Sequence, residues 1–145
     1  LYDAMFWGEP GKGHEGGLND HTVPLGDVID MRNRFWGVLA HSPKTVAFMC
    51  GDEHNYSRTL IDTDINPGFA HPVWHIVSGG AGAPIYAQGE AVTWGGQVAA
   101  FATVTHFCVF DADQEGVSLR VYSPNGALLD EVTDLTAYSV PGGAE

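Results

Sequence analysis

Positive charge is scarce in this chain: 6 lysine and arginine residues face 18 aspartates and glutamates among 145 positions, a formal charge of −12. A field of that sign repels a phosphate backbone and excludes non-specific nucleic-acid binding. Cysteine is scarcer still. Cys50 and Cys108 are too few for a disulfide scaffold, and their spacing fits no zinc motif. Each lies in an apolar run, VAFMC or HFCVF, and is expected to be a small buried hydrophobe. No stretch of about 18 consecutive apolar residues occurs, so the sequence predicts no membrane-spanning helix. The chain opens on Leu1 with neither methionine nor a signal-peptide pattern, which suggests a fragment or a processed chain.

What is present is a globular composition, 44% hydrophobic and 17% charged, at a length that suits one domain with a buried core. Residues 1–26 hold six glycines and two prolines and read as a long loop. From Asp27 to about Ser42, Val28, Met31, Phe35, Val38 and Leu39 recur at helical spacing, and Pro43 stops the pattern. Phe35 and Trp36 on that helix are expected to be core. TVAFMC (45–50) lacks polar alternation and reads as a strand buried on both faces. VWHIV (73–77) is another strand, followed by Ser78-Gly-Gly-Ala-Gly-Ala-Pro84. The tail is β-rich: FATVTHFCVF (101–110), VSLRVY (117–122) and LLDEV (128–132), with Asn125-Gly126 as a hairpin turn between the last two. The expected class is α/β (α+β), with the helix packed outside a mixed sheet that contains 45–50 and 73–77.

Chemistry concentrates after the 45–50 strand, in Gly51-Asp52-Glu53-His54-Asn55-Tyr56. Sites in sheet-based folds collect at the C-terminal edge of strands. In extended chain, residues i and i+2 point to the same side, so Asp52 and His54 can reach one metal centre. Carboxylate oxygen and imidazole nitrogen both suit zinc, manganese or iron. Taken alone, a D-x-H is equally readable as a solvated turn.

The run VAFMCGDEHNYSR (46–58) is similar to the last metal motif of calcineurin-like, purple-acid-phosphatase-like metallophosphoesterases, where a buried strand delivers Gly-His-x-His, often followed by Asn-Tyr-x-Arg. RNRFWGVLA resembles the family's segment ahead of that strand, and GEPGKGHEGGLND its active-site loop. VWHIVSGGAGAPIYA and HFCVFDAD…VSLRVYSPNGALLDEV resemble the segments that close the domain. The likeness spans nearly the whole chain and implies the C-terminal half of a layered α/β/β/α sandwich (1–26 the active-site loop, 27–145 helix and sheet). It implies hydrolysis of phosphate mono- or diesters at a dinuclear site of iron, zinc or manganese. His54 matches a ligand to one metal. Asp52 stands where the family has its other histidine, a ligand to the second metal. His14 matches the loop histidine that contacts phosphate or assists the leaving group, and Arg58 is read as support. The resemblance also favours an extracellular or periplasmic setting.

The family's Asp-x-His, Gly-Asp and Gly-Asn-His motifs, which supply most ligands, belong to a region ahead of this one. A catalytic zinc takes about three protein ligands, so two ligands cannot hold two metals. The expected partner is therefore the missing N-terminal half of the same domain, and the chain alone is expected to be inactive. The competing reading is a non-catalytic relic or β-rich binding module. His75 and His106, inside strand-like runs, are expected to be packing histidines. His41 suits a helix C-terminus, and His21 and His71 read as loop residues. Gly79, Gly80 and Gly82 carry no Walker lysine and are expected to form a tight turn that brings backbone near the site. Asn55-Tyr56-Ser57 is a glycosylation sequon, expected to be unmodified beside the site strand.

Overall fold

The computed structural model describes residues 25–85 and 95–138. Among these residues one α-helix, α1 (Leu25–Ala40), precedes seven strands: β1 (Ala47–Cys50), β2 (Tyr56–Ile61), β3 (Val73–Ser78), β4 (Val98–Ala102), β5 (Phe107–Ala112), β6 (Val117–Tyr122) and β7 (Leu128–Val132). They form a four-stranded sheet in the order β1-β3-β2-β4 and a three-stranded sheet in the order β5-β6-β7. The class is mixed α/β and rich in β structure, as expected. No helix among the described residues is long and apolar enough to cross a membrane.

Only β1 and β3 run parallel, with Ala47 opposite Trp74 and Cys50 opposite Val77. β2 lies antiparallel to β3, with Ile61 opposite Val73 and Tyr56 opposite Ser78. Side chains alternate across β3. Trp74 and Ile76 join Tyr56, Leu60, Leu119, Val121 and Leu135 in a core shared with the three-stranded sheet. Val73 instead joins Ile61, Phe69, Trp36 and Ala40 beneath the helix. The period-2 pleat thus gives each face of the larger sheet its own apolar partner.

Three sequence expectations need correction, and one strand gave no sequence signal. The helix does not bury the stripe read from its spacing: Met31, Phe35 and Val38 are exposed, whereas Trp36 and Ala40 are buried. Trp36 decides the rotation, because its large ring offers the most apolar surface and meets Phe48 and His75 edge-on. Phe35 still touches Trp36 and Phe48. β1 is not buried on both faces. It sits at the end of its sheet, half-buried, with Met49 exposed. The single strand expected over 101–110 is two, β4 and β5, which belong to different sheets. β2 was hidden in sequence by its polar residues Ser57, Arg58 and Thr59, yet all six of its positions are buried. The Asn125-Gly126 turn is as expected: Gly126 has a φ of 84°, and its N–H donates to Ser123 O at 2.9 Å.

His41 extends the helix end by donating from Nδ1 to Gly37 O. Gly37 itself has no neighbour within 4 Å of where a Cβ would stand. Glycine in a helix interior costs about 0.5–1 kcal/mol relative to alanine. Gly37→Ala is therefore expected to raise the unfolding free energy by that amount in urea titration; a loss of stability would mean that the helix needs glycine there for a contact not seen.

Candidate functional site

β1 and the parallel β3 end side by side, and the loops that leave them, 51–55 and 79–85, emerge at one edge of the sheet. Along the first loop, burial alternates. Asp52 is exposed and His54 half-buried, while Glu53 and Asn55 are buried. Asp52 has a φ of 77°, in the left-handed region that aspartate and histidine enter more readily than most side chains. Asn55 donates its N–H to Glu53 O at 2.8 Å, which closes the turn.

The second loop is pressed against the first. Gly79 N–H donates to Asn55 O at 3.1 Å, and a Cβ on Gly79 would fall 1.9 Å from Glu53 O. Only glycine permits that approach. Gly82 follows with a φ of 108°. The loop then delivers Pro84, whose carbonyl lies 2.7 Å from His54 Nδ1. A carbonyl only accepts, so Nδ1 carries a proton and donates. Metal-binding histidines are held in this way, one ring nitrogen donating to a carbonyl or carboxylate while the other faces the metal. The tight turn expected from Gly79, Gly80 and Gly82 is thus the element that orients His54.

Behind the loops stands a buried charged cluster. Arg58 Nε and Nη2 donate to Asp130 Oδ2 and Oδ1 at 2.8 and 3.1 Å, and Tyr56 Oη donates to Asp130 Oδ2 at 2.6 Å. The guanidinium also lies over the Trp74 ring, 4.6 Å from its centre. Burial alone would raise the Asp130 carboxyl, but the hydrogen bonds from Arg58 and Tyr56 and the Arg58 charge hold it below the usual carboxylate range. Burial would lower Arg58, yet the Asp130 carboxylate beside it leaves it raised. Burial and then Asp130 push the Tyr56 hydroxyl up. Arg58 is committed to Asp130, in keeping with a supporting place. Asp130, 72 positions away in sequence, carries no local signal that would reveal the pairing.

The histidines divide as expected from their surroundings. His75 is buried, stacked near Phe48 and 3.3 Å from Cys50 Sγ, and burial pushes it well below the ordinary imidazole range. His106 is buried against Tyr56. His71 pairs with the Tyr138 hydroxyl at 3.1 Å. Both cysteines are half-buried rather than buried, and each thiol contacts a polar group: His75 for Cys50, and Ser78 for Cys108. Burial raises the Cys108 thiol. Asn55, at 1% exposure, leaves the sequon closed in the folded chain, and its Nδ2 is a buried donor with no hydrogen-bond partner among the described residues. His14, His21 and the 8–20 loop lie outside the described residues.

A second acidic hollow, lined by Asp111, Asp113, Glu115 and Asp134, sits at the far end of the three-stranded sheet. Its carboxylates cap turns: Asp113 accepts from Glu115 N and Gly116 N, and Asp134 from Thr136 N. Among the described residues, no group of three or more histidine, cysteine, aspartate or glutamate side chains could hold a metal ion. Asp52 and His54 remain a pair with one oxygen donor and one nitrogen donor. No protein-family model, no curated protein and no solved structure matches this chain.

Proposed function

We propose that this chain is the C-terminal half of a metal-dependent phosphoesterase that hydrolyses phosphate mono- or diesters at a dinuclear site. The observation that carries the reading is the Pro84 carbonyl on His54 Nδ1, the kind of support that metal-binding histidines have, in a loop that also holds Asp52 at the edge where β1 and β3 end. His54 would hold one metal and Asp52 the other, with iron, zinc or manganese suited to this mixed donor set. Bound metal ions supply positive charge that polarises the phosphoryl group and acidifies water. They also reverse the sign of a chain that otherwise repels its own substrate. His14 is proposed to contact the phosphate or assist the leaving group.

Two features support a half-domain. The helix, the four-stranded sheet and the three-stranded sheet would serve as three of the layers of an α/β/β/α sandwich. Met31, Phe35 and Val38 on α1 and Met49 on β1 leave apolar side chains exposed, a surface of the kind that further chain covers. The remaining metal ligands belong to that further chain. The rival reading, a non-catalytic relic, is favoured by Asp52, a shorter and anionic residue where relatives of this type carry histidine.

The test is titration of the chain with manganese, followed through the His54 and Asp52 resonances, alongside phosphatase assay. We expect weak binding that broadens both residues, abolished at His54 by His54→Ala, and no turnover from the chain alone. Binding that bypasses both residues would remove the reading. Turnover abolished by chelator would show that the described half suffices, against the ligand count.

A further inference from the structure

We propose that the outer face of the three-stranded sheet is a contact surface for a second copy of this chain, joined about a two-fold axis by reciprocal Arg120–Glu131 ion pairs. The inference is independent of the metal reading, because it concerns the other sheet.

The face follows from the pleat. Leu119 and Val121 enter the core shared with the larger sheet, so Arg120 and Tyr122 lie on the opposite side of β6. The register then sets their neighbours. Phe107 and Leu128 stand on either side of Tyr122, and Val109 and Glu131 on either side of Arg120. The outer face thus carries two rows, Phe107-Tyr122-Leu128 and Val109-Arg120-Glu131. Phe107 stacks on Tyr122 with ring centres 5.6 Å apart. Even so, Phe107, Val109 and Leu128 remain 49%, 37% and 50% exposed. Apolar side chains clustered on one sheet face form a surface of the kind that a partner covers.

Charge identifies the partner. Arg120 is one of only 6 lysine and arginine residues, and it stands in the middle of this face directly opposite Glu131. Among the described residues the two close no ion pair with each other. A patch that presents one cation and one anion side by side is complementary to itself after a half-turn, as an isologous contact requires. A two-fold axis parallel to the strands, midway between β6 and β7, lays Arg120 over the partner subunit's Glu131. The same axis lays Tyr122 over the partner subunit's Leu128, so both rows are matched at once. The sheets would then pack about 10 Å apart, the ordinary spacing of stacked sheets. A basic partner would be drawn instead to the far end of the sheet, where Asp111, Asp113, Glu115 and Asp134 gather. The two rows are far smaller than the roughly 20–30 residues a side of a standard interface, so the dimer is weak and concentration-dependent.

Analytical ultracentrifugation over a concentration series tests this, at about 0.15 M salt, where charges more than about 8 Å apart are largely screened. The parent is expected to show a monomer–dimer equilibrium. Arg120→Glu and Glu131→Arg each set like charges against one another at both reciprocal contacts, and each is expected to weaken dimerisation by about ten-fold or more. The first makes the chain more acidic and the second less so, so a loss in both cannot come from overall charge. Mixed in equal amounts, the two variants oppose unlike charges at both contacts, and a heterodimer of about parental affinity is expected. Should either fail to fold, Leu128→Lys decides, since it removes apolar contact at an exposed position and is expected to weaken the dimer by about ten-fold. Unchanged affinity in that variant would overturn the proposal. So would a dimer indifferent to both charge reversals, or folded variants that do not associate on mixing. A parent that stays monomeric up to about millimolar concentration, where weak contacts of this size are filled, would also overturn it and leave the face to a different protein or to another part of a longer chain.

Discussion

Replacing Asp130 with alanine is expected to lower the unfolding free energy by roughly 3–5 kcal/mol, the range for breaking a buried ion pair by removing one partner. The side chains of Arg58 and Asp130 are only 4% and 10% exposed, so water cannot take over the lost bonds. Asp130→Ala would leave a guanidinium with two unmade hydrogen bonds and a phenol with one, all between the two sheets. Tyr56→Phe removes one neutral donor and is expected to cost about 1 kcal/mol. Arg58→Met with Asp130→Leu removes both charges and should recover most of the loss, because a desolvated pair contributes little beyond its own satisfaction. Urea denaturation of the four chains decides the matter. A loss below about 1 kcal/mol in Asp130→Ala would place the pair in the class of solvent-screened bridges.

The same cluster sets a pH dependence whose sign follows from its shifts. Asp130 is held below its unfolded value, so its contribution is complete above the ordinary carboxylate pKa of about 3.9 and is lost as pH falls through the lower folded value. Tyr56 is raised. Its contribution is complete below the ordinary phenol pKa of about 10 and is lost as pH rises beyond it. Asp130→Ala should flatten both limbs.

Gly79→Ala is expected to be the second severe change, at about 3 kcal/mol, the upper part of the range for overpacking. The obstacle is backbone: the new methyl would meet Glu53 O at 1.9 Å and Glu53 C at 2.7 Å, and neither can rotate away. The 79–84 loop must lift, and the Gly79–Asn55 and His54–Pro84 hydrogen bonds go with it. Both the melting temperature and the His54 ring signals should therefore change together. A variant within 1 kcal/mol of the parent that retains the His54 signals would mean that the loops are not in rigid contact. Gly37→Ala is the matched control, since the same methyl there meets open space.

Local pattern in the sequence was sufficient where a single segment carries its own physics. The helix ends, the strands at 45–50, 73–77, 117–122 and 128–132, and the Asn125-Gly126 turn all follow from propensity, periodicity and a stop residue. What the sequence could not determine was which groups meet at long range. Strand β2 reads as polar, and becomes interior only because Asp130, from the second sheet, receives Arg58 and Tyr56. The helix turned away from its most regular apolar stripe because packing of Trp36 against Phe48 and His75 outweighs spacing. The sequence likewise places Asp52 and His54 on one loop, whereas the acceptor for His54 Nδ1 comes from position 84. Hydrogen bonds have no sequence range, only a spatial one, so those pairings were decided by the tertiary structure alone.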